Sequence, residues 1–298
     1  MIRLMTMLLL VAMGFPAAAA LPVFATVPEW GALVREIGGD KVSVFVATTA
    51  LQDPHRIEAR PSLLAQARRA QLVVATGADL EAGWLPLVVR DSGNAGIQRG
   101  QPGYFEAARY VTLLDVPVAL DRTQGDVHAA GNPHIQLDPR NLLKIGDALA
   151  TRLGELDPPN AAAYRAGYQA FASKWQAAIA RWEKDAAPLR GVPVLVHHAS
   201  FLYLARWLGL KETGTLEPKP GVEPGSGHLS GLLARQQSAP ARMVLRTAYQ
   251  SDGPSMWIAG KAGIPAVMLP FTVGGSPEAG DLYGLFDDTI RRLLKGLN

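Results

Sequence analysis

Four of the six histidines in this 298-residue chain stand where a side chain could reach a bound ligand. His55 follows Asp-Pro and His134 follows Asn-Pro, and a proline before a histidine fixes the backbone that aims the ring. His197 and His198 follow a predicted strand, and ligands bind beyond the C-terminal ends of strands in open α/β sheets. Because neutral imidazole is the commonest metal ligand in proteins, these residues indicate a metal site built from distant segments.

Spacing alone does not define that site, because a single histidine in a loop is usually a surface or hydrogen-bonding residue. The chain contains no His-Glu-x-x-His helix, no Cys-x-x-Cys pair and no Gly-x-Ser-x-Gly elbow. It also lacks a phosphate-binding glycine-rich loop. The residues alone therefore indicate an exported two-lobed α/β protein with a histidine-based metal site, and they go no further.

A long predicted helix organises the chain around these histidines. Apolar and aromatic residues recur at steps of three and four through residues 159–187, which places them on one helical face. About 29 residues at 1.5 Å each give a rod of roughly 43 Å, longer than the roughly 30 Å width of a small domain. We therefore expect this helix to run from one lobe to another, and a core helix of a single domain is the alternative.

Strand and helix patterns alternate on both sides of this helix. The predicted strands are 23–27, 42–47, 72–75 and 111–114 before it, and 192–196, 242–246 and 266–269 after it. Such alternation is typical of parallel sheets whose faces are covered by helices. The predicted fold class is α/β, with two lobes, each a mainly parallel sheet flanked by helices, joined by one long spanning helix.

The first twenty residues are typical of a secretory signal peptide. Arg3 precedes an apolar run over 4–13 that is too short to span a bilayer, and four alanines at 17–20 mark the cleavage region. The chain has no cysteine, so we expect neither disulfides, nor thiolate ligands, nor a lipid attached to a cysteine. We predict a soluble protein exported to a periplasm, and an uncleaved anchor is the alternative.

Length and composition are those of a globular protein with room for two hydrophobic cores: 48% of residues are hydrophobic and 18% are charged. The net charge is +3 and the basic residues form no run, so we expect no nucleic-acid partner. The predicted organisation is a signal peptide (1–20), an N-terminal α/β lobe (21–156), a long linking helix (157–190) and a C-terminal α/β lobe (191–298).

Four stretches resemble the metal-ligand motifs of the zinc/manganese-type periplasmic solute-binding proteins of ABC importers. They are 52–55 (Gln-Asp-Pro-His), 132–141 (Asn-Pro-His-Ile-Gln-Leu-Asp-Pro-Arg-Asn), 198–204 (His-Ala-Ser-Phe-Leu-Tyr-Leu) and 280–283 (Gly-Asp-Leu-Tyr). They occur in the same order as the four motifs of that family. The resemblance covers essentially the whole chain after the signal peptide.

The resemblance implies a metal site formed by His55, His134 and His198, with Asp281 as the fourth ligand. Neighbours in a strand face opposite sides, so His197 could replace His198, and Asp281 could instead cap the last helix. Manganese-type relatives carry a carboxylate at the third position. Histidine there gives three nitrogens and one oxygen, which favours zinc.

Zinc-type members of this family often carry a long histidine- and acid-rich loop before the second motif. This chain has only the stretch 121–131, with Asp126 and His128. His128 is either the remainder of a metal-capturing loop or a surface histidine, and we favour the surface position. Glu217 and Glu223, in a predicted Pro/Gly loop over 214–227, are poorer carboxylate candidates.

The function implied by the resemblance is high-affinity capture of a divalent transition metal, zinc before manganese, in an inter-lobe cleft. The zinc would be cargo delivered to an ABC importer permease, and the protein would be a monomer without enzymatic activity. A manganese- or iron-binding member of the same family is one alternative. An exported zinc hydrolase with Asp281 as general base is another, and a binder of an organic solute or metal chelate is the third.

Overall fold

The computed structural model describes residues 19–117 and 128–298, which form two parallel four-stranded sheets with flanking helices. The strands are β1 (Leu21–Ala25), β2 (Val42–Val46), β3 (Leu72–Ala75), β4 (Tyr104–Glu106), β5 (Pro193–Val196), β6 (Lys211–Thr215), β7 (Met243–Thr247) and β8 (Ala266–Leu269). The α-helices are α1 (Pro28–Gly38), α2 (Pro61–Arg69), α3 (Leu85–Asp91), α4 (Pro139–Leu156), α5 (Ala161–Asp185), α6 (Leu202–Leu208), α7 (Ser226–Arg235), α8 (Gly253–Ala262) and α9 (Leu282–Leu297).

The strand order is β2-β1-β3-β4 in the first sheet and β6-β5-β7-β8 in the second, and every neighbouring pair is parallel. The central strands are runs of buried apolar residues, as expected when helices cover both faces of a sheet. The C-terminal ends of the strands in each sheet lie at one edge, where a ligand can bind. The predicted α/β fold class with two lobes is confirmed.

Two edge strands differ from the sequence prediction. The fourth strand of the first sheet is Tyr104–Glu106, and the predicted strand 111–114 lies in a loop instead. Gly103 makes that pairing possible, because a Cβ there would lie 2.6 Å from the carbonyl oxygen of Gln71. The sequence predicts neither a strand nor a helix at β6, because its residues Lys-Glu-Thr-Gly-Thr lack the apolar pattern of a strand. Such a polar sequence is typical of a strand at the exposed edge of a sheet.

The long helix is α5, 25 residues from Ala161 to Asp185, and 3₁₀ turns precede and follow it. It packs against α1 and α4 of the first lobe and against α9 of the second. Trp175 Nε1 donates to the carbonyl of Pro139 at 2.8 Å, and Trp182 Nε1 donates to Asp287 at 2.6 Å. The aromatic face of this helix therefore joins both lobes, as its length indicated.

One hydrophobic cluster continues from lobe to lobe through α5. It includes Trp30 of α1, Trp175 and Trp182 of α5, Val194 of β5 and Phe286 of α9. A separate cluster covers the outer face of each sheet. Because the lobes share their central core, a wide hinge movement would expose apolar area that is now buried.

Gly167 lies where α5 crosses α1 most closely. A Cβ on Gly167 would lie 2.1 Å from the carbonyl oxygen of Ile37. We expect Gly167→Ala to lower the free energy of unfolding by about 1–3 kcal/mol, because the helices must move apart. Gly231 in α7 is exposed, and beyond its neighbours and its own helix no described atom lies within 4 Å of its added Cβ, so Gly231→Ala should be neutral or stabilising. Urea denaturation measures both, and equal stability of the two variants would contradict the close contact.

In residues 19–117 and 128–298, no helix combines the length and the apolar composition needed to cross a membrane. Residues 1–18 of the predicted signal peptide, and Asp126 of the short stretch before the second motif, lie outside the described residues. The predicted domain boundaries stay a prediction.

Candidate metal-binding site

The imidazoles of His55, His134 and His198 converge between the two lobes. Each offers a ring nitrogen, and these nitrogens all lie within 4.8 Å of one another. The ring centroids are 5.5 Å apart for His55 and His134, 5.9 Å for His55 and His198, and 5.8 Å for His134 and His198. His55 comes from the loop after β2, His134 from the turn before α4 and His198 from the end of β5. Three segments distant in sequence thus form one cluster.

His134 is the most deeply buried of the three, with 1% of its surface exposed. Neither of its ring nitrogens has a hydrogen-bond partner among the described residues, although nearly all buried polar atoms in proteins have one. Burial, together with the neighbouring imidazoles, holds the pKa of His134 well below its usual range. The ring is therefore neutral and presents a nitrogen lone pair, which is the form that binds a metal ion.

The turn that carries His134 is tied to the second lobe. The side chain of Asn132 accepts from the backbone N–H of His134 at 3.1 Å and donates to the carbonyl of Ala199 at 2.7 Å. The hydroxyl of Tyr203 donates to the carbonyl of Asn132 at 2.8 Å. The Asn-Pro-His sequence thus aims its ring through contacts made across the lobes.

His55 is oriented by a carboxylate of its own loop. One oxygen of Asp53 accepts from the backbone N–H of His55 at 3.0 Å and lies 2.7 Å from its Nδ1. Burial opposes ionisation of Asp53, but the hydrogen bonds from His55 outweigh it and lower the pKa of this carboxyl. With Nδ1 engaged, Nε2 of His55 faces the cluster, and this carboxylate–histidine pair is common behind bound zinc.

His198 is oriented in the same way by Glu217, whose carboxylate lies 2.7 Å from Nδ1. The same oxygen accepts from the backbone N–H of Gly221 at 2.8 Å. Glu217 is held just after β6, where its N–H donates to the carbonyl of His197 at 3.0 Å. Glu217 therefore supports a ring in the cluster, and its position depends on β6, which the sequence pattern did not predict.

His197 is not one of the three clustered histidines, although it lines a cavity together with His55 and His198. It is 3% exposed, and burial lowers the pKa of its ring below the usual value. Of the two adjacent histidines, the structure brings His198 to the cluster.

Asp281 is not among the clustered residues. It is exposed and caps α9, where its Oδ1 accepts from the backbone N–H of Gly284 at 2.7 Å. Partial desolvation of Glu36, and then the charge of Asp281, raise the pKa of the Glu36 carboxyl, so Asp281 lies near the second half of α1. In this structure Asp281 therefore caps a helix, which is the alternative role expected of an aspartate just before a helix.

Phe271 covers the buried side of the cluster, with its ring 5.3 Å from that of His134. Its φ is +67°, a left-handed conformation that is costly for a bulky residue. Next to it, the hydroxyl of Thr272 donates to the buried carboxyl of Glu29 on α1. No sequence signal distinguished these residues, since an apolar residue after a strand is common in any core.

The geometry describes three imidazole nitrogens with a supporting carboxylate behind two of the rings. Such a set can hold one transition-metal ion, and zinc is the ion that best suits imidazole nitrogens in tetrahedral geometry.

A family model, curated relatives and solved structures all relate this chain to metal-uptake binding proteins. The family described as "Zinc-uptake complex component A periplasmic" matches residues 23–296. The metal ABC transporter substrate-binding lipoprotein SloC of Streptococcus mutans is 22% identical over 286 residues, which cover 93% of this chain and 90% of SloC. The high-affinity zinc uptake system protein ZnuA of Brucella abortus is 28% identical over 111 residues, which cover 37% of this chain and 33% of that protein.

A crystal structure of ZnuA has the same fold as this chain. It superimposes with a TM-score of 0.78 at 23% identity and covers 94% of this chain and 100% of its own. Since the family match spans nearly the whole described chain, the protein belongs to the periplasmic zinc-uptake component A family, whose members are substrate-binding proteins of metal ABC transporters and not enzymes.

Proposed function

We propose that this protein captures a divalent transition-metal ion, with zinc as the main cargo, and delivers it to the membrane permease of an ABC importer. His55, His134 and His198 bind the ion. The observation that carries the proposal is His134, a buried neutral imidazole whose two nitrogens find no hydrogen-bond partner in the part of the chain that the structure describes. Leaving such a group unsatisfied costs free energy, and a bound ion would recover it.

The donor set supports zinc over manganese. All three clustered ligands are imidazole nitrogens, whereas manganese is better suited by carboxylate, carbonyl and water oxygens. Asp53 contacts Nδ1 of His55, and Glu217 contacts Nδ1 of His198. Because Nε2 lies on the other side of each ring, these carboxylates orient the two histidines and do not replace them as metal ligands.

Release of the cargo proceeds by local loop movement and not by a wide opening of the lobes. The two lobes share a hydrophobic core through α5. Polar contacts also cross between them at the site, among them the guanidinium of Arg56, which donates to the carbonyl of Gly221 at 3.0 Å. Opening the lobes would break these contacts and expose apolar area, whereas moving one ligand loop breaks only a few hydrogen bonds.

The protein acts in the periplasm as an exported monomer. The family description, the signal-like residues at the start of the chain and a ligand cluster formed by one chain alone support this placement. SloC is a lipoprotein, and this chain has no cysteine that could carry the same anchor.

Metal analysis of the exported protein, purified without chelators, tests the cargo. We expect one zinc ion per chain, and we expect manganese at about a hundredfold excess to leave that zinc in place, as the usual affinity order predicts. Competition with a chromogenic chelator gives the zinc affinity. Protein that binds no zinc, or that exchanges it for manganese at equal concentration, would overturn the proposal.

A further inference from the structure

A fourth imidazole, that of His128, lies beside the three proposed ligands. Its ring centroid is 5.2 Å from that of His55, closer than any two rings of the three clustered histidines are to each other. His128 is half-buried, and with His134 and His198 it lines one cavity. The surface position favoured from the sequence therefore does not describe this residue.

The backbone around His128 is built to keep it there. The N–H of Ala129 donates to a carboxylate oxygen of Asp79 at 3.1 Å, and the N–H of Gly131 donates to the carbonyl of His128 at 3.1 Å. Gly131 has φ +115°, and a Cβ at this position would lie 2.8 Å from the carbonyl oxygen of Leu114. This turn requires glycine, and it holds His128 at the cluster.

We propose that His128 supplies the fourth ligand of the captured ion, an inference that rests on the metal-capture function above. Structural zinc sites are almost always four-coordinate, and the three clustered histidines leave one position. The nitrogens of His128 are not within the closest group, so the proposed coordination requires its side chain to adopt another rotamer. Four imidazoles then enclose the zinc, and no position stays open for water.

The other nearby ligand candidates are placed less well. Asp281 caps α9 and lies beside Glu36, away from the cluster. The carboxylates of Asp53 and Glu217 stand behind the rings that they orient, on the Nδ1 side. His128 is the remaining metal-binding side chain, among the described residues, whose ring contacts a clustered histidine.

The test compares wild type with His128→Ala, and with His228→Ala as the control that also removes one imidazole. His228 lies in α7, bonds the carbonyl of Thr215 and is outside the clustered group. Zinc affinity is measured by chelator competition, and the number of imidazoles on zinc is measured by X-ray absorption. We expect four imidazoles in wild type and in His228→Ala, and three imidazoles with one oxygen in His128→Ala.

Even loss of an orienting partner commonly lowers metal affinity tenfold, so His128→Ala should lower zinc affinity by at least about tenfold. If wild type shows only three imidazoles on zinc, or if the zinc environment is unchanged in His128→Ala, His128 is not the fourth ligand. Either result would leave the metal-capture function intact. An equal loss of affinity in His228→Ala would also overturn it. Wild-type protein that binds no zinc would instead refute the capture function itself.

Discussion

Replacing His134 with alanine should lower zinc affinity by more than about a hundredfold and leave the protein folded. His134 is the buried member of the cluster, and its ring contacts both His55 and His198. Loss of a residue that merely orients a ligand costs about 10–100-fold in metal affinity, so loss of the central ligand should exceed that range. Competition with a chromogenic chelator measures the change directly.

The metal-free His134→Ala variant should keep its fold, because the ring nitrogens of His134 make no hydrogen bond within residues 19–117 and 128–298 that alanine would remove. We expect the free energy of unfolding to fall by about 1–2 kcal/mol, from lost packing alone. Zinc at about a hundred times its dissociation constant should stabilise wild type by about 2.7 kcal/mol, and this stabilisation should disappear in the variant. Thermal denaturation with and without zinc measures both quantities.

Asp281→Asn is the control, because asparagine caps a helix as well as aspartate does and removes only the charge. Asp281 bonds the N–H of Gly284 on the protein surface, so this variant should bind zinc with wild-type affinity. If Asp281→Asn weakened zinc binding and His134→Ala did not, the proposed ligand set would be wrong.

The parts of this structure that the sequence predicted are those set by local patterns. The aromatic residues of α5 recur at helical spacing, and the helix forms with that face buried against both lobes. β3 and β5 are continuous apolar runs, as expected for central strands of a covered parallel sheet. A proline before His55 and another before His134 marked both rings as aimed side chains, and the structure brings both to one cluster.

The parts that it did not predict depend on contacts between distant segments. β6 is a polar edge strand, and without it the role of Glu217 behind His198 is invisible in the sequence. An aspartate at the start of a helix has the same sequence signature whether it caps the helix or binds metal. The role of Asp281 could therefore be assigned only from the residues around it. The position of His128 depends on a glycine turn and on an aspartate elsewhere in the first lobe.

Glu29→Gln should stabilise the metal-free protein at about pH 8 by up to about 3 kcal/mol and have little effect near pH 4.5. Glu29 is buried at the start of α1, and burial raises the pKa of its carboxyl to about 7, despite the hydrogen bond from Thr272. The charge of Glu81 adds to this increase. The folded protein therefore keeps a proton on Glu29 that the unfolded chain has lost.

The sign of the pH dependence follows from that difference in proton binding. Below about pH 4.5 both states carry the proton and Glu29 costs no stability; between about pH 4.5 and pH 7 stability falls as pH rises. Above about pH 7 the folded state holds a buried charge, and the full cost remains. Glutamine keeps a neutral group at this position at every pH, so the difference between the variant and wild type should grow across that range.

Glu81→Gln is the contrasting variant, and we expect the opposite sign. Both oxygens of Glu81 accept backbone hydrogen bonds, at 2.7 Å from Thr76 N–H and 3.0 Å from Gly77 N–H, and the hydroxyl of Thr26 donates to the first. Burial raises the pKa of the Glu81 carboxyl as well, but an amide turns one oxygen into a donor that faces an N–H group, so we expect this variant to be less stable than wild type. Urea denaturation across the pH range, with zinc removed by a chelator, measures both variants. If the free energies of unfolding of wild type and Glu29→Gln vary with pH in parallel, Glu29 does not keep its proton in the folded protein. If they diverge as pH rises, and Glu81→Gln is destabilised, Glu29 is the buried acid that joins α1 to the second lobe through Thr272.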